Sequence, residues 1–373
     1  MTLQFSFDTS PARVVFGRGT VLTALPPEVE RMGFERVLVV AGRPHEPLAR
    51  KVTIPFAEVA VAWFTGVEPH VPAAVAERAV ELARRARADG VLSIGGGATT
   101  GTAKIVARET HLPIVSVPTT YAGSEMTPVW GMTTAGRKET GTDPAVQPRT
   151  VILDPDLTDE LPRALAVASG LGAMAHAAEA HWAPGANPMT AALADEAVQA
   201  LATGLRGIGR VPLALANSPE AALNDPVGTW AGTSANAGEQ LLYGAFLAGA
   251  IVAATGSGLH HRICAVLGGA FKLPDAAAHA VVLPHVLAFN SPAVPAAAGR
   301  IARALGAEDA VAGLRGLYAE VGAPRTLEQI GLRRDQLPEA IDRVNAALPI
   351  PNPRLVGTGD VRALLTAAYE GVA

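Results

Sequence analysis

The stretch VLSIGGGATTGTAKIVAR, residues 91–108, decides the fold. A run of Val, Leu and Ile ends on Gly95, Gly96 and Gly97, and a helical pattern begins near Ala98. Glycine reaches backbone angles closed to other residues and lets the main chain approach a ligand. The first turn of a helix adds free N–H groups and a partial positive charge, which together favour an anion such as a pyrophosphate. The run does not match G-x-G-x-x-G and has no P-loop lysine directly after it, so taken alone it also reads as a tight strand-to-helix turn.

Working outward, RVLVVAG (36–42), EVAVAWF (58–64), GVLSIGG (90–96) and LPIVSVP (112–118) read as buried strands. Between the second and third lies a helical pattern, with Val71, Val75, Ala79, Leu82 and Ala86 at helical spacing and Pro72 in the first turn. Strand, helix, strand in short order predicts a parallel sheet with covering helices. A second loop, VPTTYAGSEMTP (117–128), places Thr119, Thr120, Ser124 and Thr127 at a strand end, where ligands of open parallel sheets bind. After residues 150–162 the strand signals stop and Ala-rich helical segments follow. The expectation is an α/β dinucleotide-binding domain over 1–156 and an all-α domain over 157–373, sharing a cleft.

At 373 residues the chain exceeds the size at which one core keeps growing. Its 49% apolar and 17% charged residues are those of a folded protein, not a disordered one. A formal charge of -4 with no Lys/Arg run argues against nucleic acid as a partner. One cysteine, Cys264, and an N-terminal stretch without a basic, apolar leader set the expectation of a cytoplasmic protein. The uncharged run 240–259 is long enough to span a membrane, but its Gly and Ala content predicts a buried core helix, and no membrane partner is expected.

Five segments then follow one another in a recognisable order. They are GGGATTGTAK (95–104), VPTTYAGSEMTPVWGMTTAGRKETG (117–141), PRTVILDPDLT (148–158), ASGLGAMAHAAEAHWAPGANP (168–188), and GLHHRICAVLGG with LPDAAAHAVVLPHVLAFN (258–290). Their order resembles the iron-containing alcohol dehydrogenase family with its dehydroquinate synthase-like fold, and most closely the maleylacetate reductase branch. The resemblance implies that Gly95, Gly96, Gly97 and Ala98 hold the pyrophosphate of NADH or NADPH. Thr119, Thr120, Ser124 and Lys138 would line the rest of the groove, with His70 close by. It further implies a homodimer. Gly42 stands after the first of these strands, where an acidic residue would select NADH through the ribose 2′-hydroxyl, so either nicotinamide can serve.

In metal-dependent members of that family one Asp and three His bind a divalent ion. The corresponding positions here read Gly172, His176, His261 and Asp275. Three readings follow. In the first, which the ligand count favours, no metal binds, and His176 and His261 are hydrogen-bonding or proton-transfer groups. In the second, His176, His261 and Asp275 hold iron or zinc as a two-histidine, one-carboxylate set. In the third, the histidines are structural and the parent chemistry is lost. Asp275 and His279, four apart on a helix, also admit a carboxylate that orients His279.

The maleylacetate reductase branch reduces the double bond conjugated to the ketone of an acidic enone, taking maleylacetate to 3-oxoadipate. Hydride addition creates an enolate, which calls for donors near oxygen and a proton source near carbon. His261 and His176 are the leading candidates, followed by His279, with Tyr243 as a hydroxyl donor. Arg262 is a candidate for a substrate carboxylate, with His260 beside it. The replaced ligand positions keep two alternatives open: a reductase of a different enone or carbonyl, and a non-redox enzyme or nucleotide-binding protein.

Overall fold

Strands buried on both faces read as continuous Val, Ile and Leu runs, because helices cover both sides of the sheet. The computed structural model describes residues 5, 7, 12–135, 137–209 and 236–371. Its strands are β1 Arg13–Phe16, β2 Val37–Ala41, β3 Ala62–Phe64, β4 Gly90–Gly95, β5 Ile114–Pro118, β6 Val129–Thr134, β7 Arg137–Thr142 and β8 Thr150–Leu153. Six form one parallel sheet in the order β1-β8-β5-β4-β2-β3. Alternate residues feed two cores. Val37, Val39, Leu92, Ile94, Val115 and Val117 face one side, and Leu38, Val40, Val91 and Ile114 face the other. Burying each such side chain contributes about 1.5–3 kcal/mol.

Three local features depart from the sequence expectation. Only Ala62–Phe64 of the run 58–64 is strand, because residues 57–59 turn. β6 and β7 form an antiparallel hairpin whose Thr-rich, charged arms carry no apolar alternation to announce them. Helix α1, Ala73–Ala86, buries Val75, Ala76, Ala79, Val80 and Ala83, which turns Leu82 to the half-buried margin of the stripe.

The chain divides between Thr158 and Asp159. Ser10–Thr158 forms the α/β unit, in which helix α2, Gly97–Thr110, follows β4 directly. Beyond Asp159 the described residues contain helices and no strand. The first of them are α3 Arg163–Ala180, α4 Pro188–Ile208, α5 Ala237–Thr255, α6 Leu259–Phe271 and α7 Asp275–Asn290. Glycines let them close up. A Cβ on Gly204 would stand 2.6 Å from Leu241 Cγ, and one on Gly244 would stand 2.7 Å from Leu201 Cγ. Among the described residues α5 is the one helix long and apolar enough to cross a membrane, yet Leu241, Leu242, Ala245, Ala248 and Ile251 are buried in this unit.

Candidate active site

In the α/β unit the register Gly95↔Pro118 sets the loops after β4 and β5 side by side, and Thr119 donates its N–H to Gly95 O at 3.1 Å. Gly95 has φ +150°, and a Cβ there would lie 2.4 Å from Thr99 Oγ1. A Cβ on Gly96 would meet Thr120 Cγ2 at 2.9 Å. The backbone thus turns where side chains do not fit, and α2 begins at Gly97. The N–H groups of Gly97 and Ala98 precede any intrahelical acceptor, which is the geometry of an anion cradle.

A buried cation holds the neighbouring loop. Lys104 on α2 is fully buried, and its Nζ donates to Ser124 O (2.6 Å), Thr127 O (2.8 Å), Thr127 Oγ1 (3.0 Å) and Val129 O (2.7 Å). Burial lowers the Lys104 ammonium to about 7 against the attraction of Glu125. Four oxygen acceptors demand N–H donors, so we assign the protonated form. The loop residues of interest are placed as follows. Thr119 is buried with its Oγ1 3.0 Å from His45 Nε2, while Thr120 and Ser124 are half-buried. Lys138 is half-buried on β7 opposite Thr133. His70 adopts φ 61° and its carbonyl accepts from Thr133 Oγ1 at 2.8 Å.

The helical unit gathers four imidazoles around one carboxylate. Glu179, on α3 and 1% exposed, accepts from the backbone N–H of Gly258 (3.0 Å) and His260 (2.7 Å), and its Oε2 is hydrogen-bonded to His261 Nδ1. It does for α6 what an N-cap side chain does, since Gly258 has none to offer. Burial pushes Glu179 up, but the charge and hydrogen bond of His261, the charge of His260 and the Gly258 N–H outweigh it and hold the carboxyl down at about 2. His176 stacks on His261 with ring centroids 4.8 Å apart and planes 22° apart. His279 meets His176 edge-on at 5.3 Å and His261 at 5.2 Å. Burial, then the charges of His261 and His260, depress His176 well below its ordinary value.

Other expected site residues lie elsewhere. His260, expected at the substrate, is 1% exposed; its Nε2 sits 2.8 Å from His279 Nδ1 and 3.7 Å from Cys264 Sγ, so its ring is enclosed by protein. At His279 Nδ1 the neighbouring ring nitrogen is that of His260. Arg262 is exposed on α6. Tyr243 is half-buried on α5, and burial together with the charge of Glu196 raises its hydroxyl.

The ligand set implied by the family resemblance does not assemble. Gly172 offers no carboxylate, and a Cβ there would already lie 3.7 Å from His279 Cβ and 3.8 Å from the α7 backbone at Ala276. Asp275 is exposed in the first turn of α7, with its Oδ1 placed 2.6 Å from where a Cβ on Gly268 would stand. Ring nitrogens of His176, His261 and His279 do come within 4.8 Å of one another. The one-Asp, three-His set of the family's metal-dependent members is thus not reproduced at the corresponding positions.

Sequence reasoning missed Glu179 and Lys104. The spacing of His176 and Glu179, three apart and so on one helix face, was the available signal for the first. For the second it was a lone cation within an otherwise uncharged run, residues 90–107.

Comparison with known proteins agrees with this architecture. Residues 11–155 match the family model for iron-containing alcohol dehydrogenase, and residues 227–369 match that for the C-terminal part of the Fe-containing alcohol dehydrogenase family. The maleylacetate reductase of Pseudomonas aeruginosa is 41% identical over 369 residues, 99% of each chain. Among solved structures, an iron-containing alcohol dehydrogenase from Corynebacterium glutamicum superposes with a TM-score of 0.88 at 43% identity, covering 100% of this chain and 99% of the other. Maleylacetate reductase from Rhizobium sp. strain MTP-10005 gives 0.86 at 37% identity, covering 99% of each. The chain belongs to the iron-containing alcohol dehydrogenase family, in its maleylacetate reductase branch.

Proposed function

We propose that this protein is an NAD(P)H-dependent reductase of an acidic enone, maleylacetate, giving 3-oxoadipate without a metal ion. The observation that carries the reading is the Glu179–His261 pair: a buried carboxylate aims one imidazole while leaving His261 Nε2 with no hydrogen-bond partner among the described residues. A carboxylate held at about 2 only accepts, so Nδ1 of His261 carries a proton and Nε2 is the position that exchanges one. When bound, the nicotinamide supplies the hydride that adds to the carbon β to the ketone. His261, whose imidazolium Glu179 balances, then supplies the proton that ends on the α carbon, while His279 and His176 lend hydrogen bonds to the enolate oxygen. Arg262, exposed beside His261 in sequence, is the cation offered to a substrate carboxylate. Tyr243 serves as a supporting hydroxyl donor. Kinship with the reductases also supports a cytoplasmic homodimer.

The α/β unit is assigned the nucleotide, on Gly95, Gly96, Gly97 and Ala98, with Thr119, Thr120, Ser124, Lys138 and His70 along the groove. Gly42 leaves room for either nicotinamide nucleotide: the nearest atoms to a Cβ there are Pro44 Cδ at 3.8 Å and Val67 Cβ at 3.9 Å. Gly96→Val is expected to weaken NADH or NADPH binding tenfold or more, roughly 1.4 kcal/mol, with secondary structure retained. Unchanged affinity in a fluorescence titration removes the loop assignment.

The reaction is tested by following nicotinamide absorbance with maleylacetate, before and after dialysis against a chelator, alongside elemental analysis. The expected result is nucleotide oxidation that survives chelation. Constant absorbance despite nucleotide binding rejects the reductase, and activity lost with a stoichiometric metal rejects the metal-free site.

A further inference from the structure

We infer that His260 is a positioning residue: it locks His279 in the tautomer whose proton lies on Nε2, so that His279 faces the reacting oxygen as a hydrogen-bond donor. The inference rests on the reductase reading for its kinetic consequence, but not for the tautomer itself. His260 is 1% exposed, and its Nδ1 is buried with no hydrogen-bond partner among the described residues. Its Nε2 lies 2.8 Å from His279 Nδ1, so one of the two nitrogens donates to the other.

Two arrangements satisfy that bond. If His279 donates, the single proton of His260 sits on Nδ1, where a buried N–H points at nothing. If His260 donates from Nε2, what remains on Nδ1 is a bare lone pair. Orphaned buried N–H groups are the rarer outcome, since a donor stripped of water forfeits its bond outright. The ring of His260 is enclosed by protein, with Nε2 between His279 Nδ1 and Cys264 Sγ, and a neutral imidazole has one proton to place. His260 therefore donates, His279 Nδ1 accepts, and the proton of His279 stays on Nε2. The His260 backbone is itself fixed by Glu179 through its N–H, so one carboxylate sets both arms: His261 through the ring and His279 through the neighbouring histidine. The two arms differ in function, because His261 exchanges a proton at Nε2, whereas His279 keeps a fixed donor there.

The test uses the full chain labelled with ¹⁵N-histidine, without substrate. His279 resonances are assigned by their loss in His279→Gln. The expected spectrum has His279 protonated on Nε2 and bare on Nδ1; protonation on Nδ1 alone overturns the inference whether or not the protein reduces maleylacetate. In kinetics, His260→Leu is expected to lower kcat about tenfold with KM within about twofold, and to release His279 into a mixture of tautomers. His260→Gln, which keeps an N–H at the same reach, is expected to recover most of kcat. A His260→Leu protein with full kcat, or an unchanged His279 spectrum in that variant, overturns the inference. Should that variant not fold, the wild-type spectrum still decides.

Discussion

His261→Ala is expected to lower kcat by about two to three orders of magnitude while the Kd for NADH or NADPH stays within about twofold. The size follows from placement. An imidazole whose ring is held by a buried carboxylate needs no reorientation when the enolate forms, and preorganised donors of this kind contribute more than any flexible group at the surface. The selectivity follows from where the groups reside: His261 and Glu179 belong to the helical unit, and the glycine turn belongs to the α/β unit. Alanine also deprives Glu179 of its charged partner, although the Gly258 and His260 N–H groups remain. Stability must therefore be read alongside activity, by thermal unfolding of the same sample. A folded variant whose kcat falls less than about threefold removes His261 from the chemistry. A loss carried entirely by nucleotide affinity places it at the cofactor instead.

The sheet was legible in the sequence because burial on both faces writes itself as unbroken apolar runs, and the glycine turn because three glycines have few other uses between a strand and a helix. The hairpin β6–β7 was not, since its register is set by neighbours and not by its own alternation. The imidazoles announced themselves by composition. Their arrangement did not: Glu179 finds its partners 79 to 82 residues downstream, a distance no local pattern spans. Asp275 and His279 show the same limit at short range. Four residues apart on one helix, they share a face in any periodic reading, yet α7 begins at Asp275 and leaves that side chain in its exposed first turn. His279, one turn further in, meets the other rings.

The same burial that shapes the site predicts a fold unusually sensitive to mild acid. Besides His176, which burial depresses well below its ordinary value, three enclosed histidines of the helical unit are depressed by loss of water. His260 lies at about 3, with Glu179 opposing and His261 adding to the effect. His181 lies at about 4, with Asp195 opposing and Arg300 adding. His285 also lies at about 4, with Arg315 adding. In an unfolded chain each titrates near 6.5. Between those values the unfolded state holds protons that the native state refuses, so stability is intact above about pH 6.5 and is lost as pH falls towards the folded values. Each group contributes a slope of about 1.4 kcal/mol per pH unit, and three together about 4. By pH 5 the loss from these three reaches about 6 kcal/mol, comparable with the whole stability of many domains, about 5–15 kcal/mol. Glu179 acts lower down: held at about 2 against about 4.3 unfolded, it withdraws its contribution only as pH falls below that upper value. Urea unfolding followed by helical circular dichroism from pH 7.5 to 5 measures the slope, and His260→Leu, which removes one of four titrating rings, is expected to flatten it by about a quarter. Stability that stays level across that range would mean that water or protons reach these rings in the native state, and the enclosed histidine cluster would have to be redrawn.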